Sequence, residues 1–118
     1  MILVSTILNI SDNSGGRLAK CIHIYKKKKI ATIGDMILVS IKTYNPKKKI
    51  KKGEMYLSLV IRVRNFFFYN NSFIKFNDNA IVLLNKKFLP IGTRLFGISL
   101  RNIRLINRKV YLMLPYII

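Results

Sequence analysis

Two stretches of this chain change character at every second residue. Ile37, Val39 and Ile41 are interleaved with Leu38, Ser40 and Lys42, and Leu57, Leu59, Ile61 and Val63 with Ser58, Val60, Arg62 and Arg64. A period of two sends successive side chains to opposite faces, which is the signature of a β-strand. Turn-forming groups punctuate these runs: Asp12-Asn13-Ser14-Gly15-Gly16, Gly34-Asp35, Asn45-Pro46, Lys52-Gly53-Glu54, Asn70-Asn71 and Asn77-Asp78-Asn79. Short, regularly spaced strands without intervening helices point to an antiparallel barrel.

The expected fold class is therefore all-β: a small closed five-stranded antiparallel barrel of the OB or SH3-like kind. Its strands are expected near residues 2–10, 17–25, 35–43, 55–64 and 80–84, with Phe66 to Phe76 forming a hairpin arm. One domain is expected over 1–118, with the barrel over about 1–85 and a C-terminal extension over about 86–118. In the extension Leu100, Ile103 and Ile106 recur at threefold spacing beside Arg101, Arg104 and Arg108, which predicts short helical turns. Val110, Leu112 and Leu114 then alternate with Tyr111 and Met113 up to Pro115, which predicts a last extended piece.

Charge narrows the function. Among 118 residues, 22 are Lys or Arg and only Asp12, Asp35, Glu54 and Asp78 are acidic, a formal charge of +18. Such self-repulsion is relieved by a polyanion whose condensed counterions are released on binding, and nucleic acid is the first candidate. An anionic membrane calls for a long apolar span or a basic amphipathic helix. The run Met1 to Ser11 is too short to span and is broken by Ser5, Thr6 and Asn9, so neither a membrane partner nor a cleavable leader is expected. Ile, Lys, Asn, Phe and Tyr make up about half the chain, a bias that fits A+T-rich coding and an organellar genome.

Catalytic chemistry finds few groups to work with. There is one His, one Cys and four scattered acids, too little for a positioned base and nucleophile, so no enzyme is expected. Cys21 has no partner for an internal disulfide. Cys21 and His23, two apart on a strand, are expected on one face, yet a structural zinc site wants four ligands, so neither metal nor cofactor is expected. Gly15-Gly16 reads as a tight turn rather than a phosphate-cradling loop.

Basic residues gathered in loops remain: Lys26, Lys27, Lys28 and Lys29; Lys47, Lys48 and Lys49 with Lys51 and Lys52; and Lys86 with Lys87. A single run is ordinarily a solvated surface, but three runs with almost no acids suit a phosphate backbone. Arg62 and Arg64 are expected on one strand face, where their forks match phosphate geometry or simply meet solvent. Lys20, Lys42 and Lys75 complete the basic candidates for RNA contact. Phe66, Phe67, Phe68, Tyr69, Phe73 and Phe76 either stack bases or pack on one another, and packing is the commoner use in a hairpin.

The segment Leu8-Asn9-Ile10-Ser11-Asp12-Asn13-Ser14-Gly15-Gly16-Arg17 resembles the N-terminal signature of the large-subunit ribosomal protein fourteen family. The likeness continues in order through Lys51-Lys52-Gly53-Glu54, Val60-Ile61-Arg62, Phe76-Asn77-Asp78-Asn79-Ala80 and Pro90-Ile91-Gly92-Thr93-Arg94-Leu95-Phe96-Gly97. The resemblance implies a five-stranded barrel that binds large-subunit ribosomal RNA and lies near the small subunit. It implies RNA contacts at Asn13, Ser14 and Arg17 as well as at the basic loops. It also implies an interface surface of Thr93, Arg94, Arg101, Arg104 and Lys109 facing small-subunit RNA or a ribosome silencing factor, with ribosomal proteins three and nineteen as neighbours. Ser58 and Ser72 depart from the pattern, as does the segment Phe66 to Asn71, where a basic arm is usual. A mitochondrial ribosome is the first expectation for residence, and a plastid-type organelle or a bacterium the alternative. The rival reading is a free-standing barrel that binds single-stranded nucleic acid.

Overall fold

The computed structural model describes residues 2–48, 50–64, 67–69 and 71–118, the three residues 67–69 by backbone alone. Lys49 and Phe66 lie outside the described residues. So does the question of whether the side chains of residues 66–69 pack together or stack on bases.

Strands β1 (Ile7–Ile10), β2 (Gly16–Ile24), β3 (Met36–Tyr44) and β4 (Met55–Arg62) pair in sequence order. A hairpin of β5 (Phe67–Tyr69) and β6 (Ser72–Ile74) follows, and β7 (Ala80–Leu84) then closes the barrel between β4 and β1. Four of the five pairings are antiparallel, and the closing pair of β1 with β7 is parallel, Asn9 opposite Ala80 and Ile10 opposite Ile81. Closure demands this: when an odd number of strands alternate in direction, the first and last run the same way.

The first strand is shorter than expected. Ile2 makes only an isolated bridge to Ala31, and the chain then turns, with the Thr6 amide donating to Leu3 O and the Leu3 amide to Thr6 Oγ1. Ser5 has a φ of 78°, outside any strand. Short hydroxyl side chains that bond nearby backbone compete with sheet pairing, and here they win.

Two apolar layers share the middle of the fold. Leu8, Ala19, Ile24, Ile37, Val39, Ile41, Val60, Ile81 and Leu83 fill the barrel, and Ile50 from the loop after β3 plugs its end. Leu59, Ile61, Ala80, Val82 and Leu84 point outward into a second layer with Leu95, Ile103, Val110 and Leu114 of the C-terminal extension. Strands β4 and β7 are thus covered on both faces, which is why all five residues of β7 are apolar and buried.

The extension contributes β8 (Ile98–Ser99), α1 (Ile103–Ile106), α2 (Arg108–Met113) and β9 (Tyr116–Ile117). Helical turns after Pro90 are present, with Ile103 buried, although Ile106 is half exposed and lies over Gly34. The alternation of Val110, Leu112 and Leu114 is not an extended piece. Asn107 caps a helix there, its side chain accepting from the Val110 amide. Val110 and Leu114, four apart, face the second layer, while Leu112 is 70% exposed.

Candidate nucleic-acid interface

Strand direction sorts the loops. Because β1, β3 and β7 run the same way, the segments that leave their C-terminal ends, residues 11–15, 45–54 and 85–90, emerge at one end of the barrel. Arg17, Lys42, Lys47, Lys48, Lys51, Lys52, Lys86 and Lys87 therefore belong to this end, and all are exposed. Lys26, Lys27, Lys28 and Lys29, in the β2–β3 connection, and Arg64 and Lys75, flanking the hairpin, belong to the other. Lys20, opposite Ile7 and Ser40 in mid-strand, is half-buried. The candidates thus form two fields rather than one.

The first field is rigidly built. The turn after β1 is folded by Asp12, whose Oδ1 accepts from the Ser14 amide at 3.1 Å and from the Ser14 hydroxyl, while its Oδ2 accepts from the Leu83 amide at 3.2 Å. Burial pushes the Asp12 carboxyl up, against the pull of those donors. The Asn45 amide donates to Gly15 O at 2.7 Å, so the two turns are joined. Asn45 also accepts from the Lys47 amide through its side chain and from the Lys48 amide through its carbonyl. Gly15, with φ of 115°, packs directly against the Lys48 stem. A shallow recess is lined by Asp12, Asn13, Gly15, Gly16, Arg17, Asn45 and Lys48. Across the end, Asn85 Oδ1 accepts from the Lys87 and Leu89 amides, holding Lys86 and Lys87 on a tight turn. Sequence patterning marks Asn45-Pro46 as a turn but does not single out Ile50 and Asn85, which also fix these loops; an Asn directly before the Lys86-Lys87 pair is the signal that could have found Asn85.

The acids do little to offset this charge. Asp12 is buried, and Glu54 accepts from the Tyr56 hydroxyl; burial and that carboxylate together push the Tyr56 phenol up to about 12. At the other end Lys28 pairs with Asp35 at 2.9 Å. Lys26 and Lys27 both adopt positive φ, 64° and 54°, a conformation more usual for Gly or Asn.

Arg62 does not present its fork to an outside phosphate. A register shift between Val60 and Arg62 takes it out of simple alternation with Arg64. Its guanidinium is buried between barrel and extension, donating to Asp78 Oδ1 at 2.9 Å, Ser11 Oγ at 2.6 Å, Phe96 O at 3.1 Å and Ile98 O at 3.3 Å. Burial raises the Asp78 carboxyl, and the bonds from Arg62 and Asn9 with the Arg62 charge outweigh it, holding Asp78 below the usual carboxylate range. Cys21 and His23 are also separated by a register shift: Cys21 is buried, whereas His23 is exposed and meets the Tyr25 ring edge-on at 4.9 Å. They do not share a face, and no group of three metal-ligating side chains occurs among the described residues.

Thr93, Arg94, Arg101, Arg104 and Lys109 are all exposed. Arg101 and Arg104 lie on one helical turn, the Arg104 amide donating to Arg101 O at 3.1 Å. Asn13 faces Thr93 and Arg94 and not solvent alone, bonding both. Among the described residues no helix is long and apolar enough to cross a membrane. Compared with protein families, residues 1–116 match the one described as ribosomal protein L14p/L23e.

Proposed function

The chain belongs to the ribosomal protein L14p/L23e family of the large subunit, and from that premise we propose that it braces large-subunit ribosomal RNA on the basic end of its barrel and faces the small subunit with its C-terminal extension. The observation that carries this reading is the convergence at one barrel end of three loops, each fixed by backbone hydrogen bonds, two of them bearing exposed lysines and the third leading into the exposed Arg17 at the start of β2. A phosphate backbone rewards fixed donors, because little freedom is lost when it arrives. The four carboxylates set against 22 Lys and Arg leave a net charge of +18, which an RNA partner offsets. Such a role asks for no catalytic group.

The exposed Thr93, Arg94, Arg101, Arg104 and Lys109 support contact with small-subunit RNA or a silencing factor. Leu105, Leu112 and Tyr116, exposed beside these cations, suit neighbouring ribosomal proteins, numbers three and nineteen by resemblance. The composition rich in Ile, Lys and Asn supports a mitochondrial ribosome, and a plastid-type organelle or bacterium would share it.

Replacing Lys47, Lys48, Lys51 and Lys52 by Gln tests the RNA interface. Circular dichroism should stay that of the wild type, because these side chains are exposed. The dependence of log K on log salt should become shallower by ~0.7–0.9 for each phosphate that is no longer neutralised. An unchanged slope and affinity would remove this end of the barrel from the interface.

A further inference from the structure

We propose that Asn13 is a positioning residue for the loop 92–97: by holding Thr93 and Arg94, it makes the turn after β1 and the exposed interface loop one unit. The proposal rests on the reading of that loop as facing the small subunit, and its test separates the two.

One amide side chain spans eighty positions of sequence. Asn13 Oδ1 accepts from the Thr93 amide at 2.8 Å and the Arg94 amide at 3.1 Å, and Asn13 Nδ2 donates to Thr93 Oγ1 at 2.8 Å. The Asn13 backbone amide adds a bond to Arg94 O at 3.2 Å. The approach is close enough to require glycine next door, since a Cβ on Gly92 would lie 2.8 Å from Asn13 Oδ1 and 3.1 Å from Asp12 Cβ. Three of the four hydrogen-bonding positions of the amide are thereby used, so little is left for a direct RNA contact.

The rest of the loop is held by other means. Asp12 bridges Leu95, which is buried, the Phe96 amide donates to Ser11 O at 2.7 Å, and Arg62 grips Phe96 O and Ile98 O. Those contacts fix the loop's C-terminal half. The half that carries the exposed Thr93 and Arg94 side chains depends on Asn13. Arg94 reaches back over the Phe96 ring, its guanidinium carbon 6.0 Å from the centroid, so the direction of its fork follows from where its backbone is held.

Removing this side chain should leave the barrel intact and free Thr93 and Arg94 alone. In full-length Asn13→Ala, amide hydrogen exchange at Thr93 and Arg94 should quicken about tenfold while Val60 and Leu83 stay protected. Asn13→Asp, which keeps the acceptor, should restore protection. In large subunits purified with each variant incorporated and compared at equal occupancy, those carrying Asn13→Ala should join small subunits less well in sucrose gradients, approaching Arg94→Glu. Unchanged exchange at Thr93 and Arg94, or an Asn13→Ala chain that does not fold, would overturn the positioning role. Normal joining by Asn13→Ala subunits where Arg94→Glu subunits fail would overturn its functional half. Normal joining by Arg94→Glu itself would overturn the interface reading, leaving the exchange result to judge Asn13.

Discussion

Ser58 and Arg62, four residues apart on β4, represent opposite ways of burying a polar side chain. Arg62 is engaged on every side, its charge met by Asp78 and its remaining donors by Ser11, Phe96 and Ile98. Ser58 is fully buried inside the barrel, and its hydroxyl has no hydrogen-bond partner among the described residues. A buried hydroxyl without a partner costs on the order of 1–3 kcal/mol of forfeited hydration, against which deleting one small atom leaves only a minor void. Ser58→Ala should therefore be neutral or stabilising by about 1 kcal/mol, seen as an unchanged or higher midpoint of urea unfolding. A lower midpoint would show that the hydroxyl is satisfied. Neither role is legible in the sequence: alternation places Arg62 on an outer face with Arg64, and only the register shift beside Val60 and the presence of the extension turn it inward.

At the level of elements, the barrel is readable because its strands alternate and its turns carry Asp, Asn and Gly where the chain must reverse. Strand β7 carries a further clue, since Ala80, Ile81, Val82, Leu83 and Leu84 leave no polar face and must be covered on both sides. The cover itself is only half readable. Threefold spacing reveals α1, but Val110, Leu112 and Leu114 fit a period of two as well as they fit i and i+4, and only the Asn107 cap separates the alternatives. The helix makes a quantitative distinction that an extended piece would not. Leu114→Ala, which opens the buried second layer, should cost about 2–5 kcal/mol. Leu112→Ala, on the exposed side, should stay within about 0.5 kcal/mol, both by chemical denaturation. Equal costs would restore the extended reading.

For the whole molecule, charge and topology together give the account, and neither does so alone. Composition indicates a polyanionic partner, and the order of motifs indicates the family, but neither sorts in space the loops that are far apart in sequence. Strand direction does the sorting: the loops holding Lys47 and Lys86 share an end, and the one holding Lys26 lies opposite. Asn13 shows the same limit at a single residue, since its partners Thr93 and Arg94 lie at the far end of the chain and no local pattern reveals them. The central claim is that RNA lies on the end formed by residues 11–15, 45–54 and 85–90. Ultraviolet cross-linking of intact large subunits, with the linked peptides read by mass spectrometry, measures this directly. RNA adducts should concentrate on the peptides carrying Lys47, Lys48, Lys51, Lys52, Lys86 and Lys87; adducts confined to the opposite end, or a chain absent from the subunit, would contradict it.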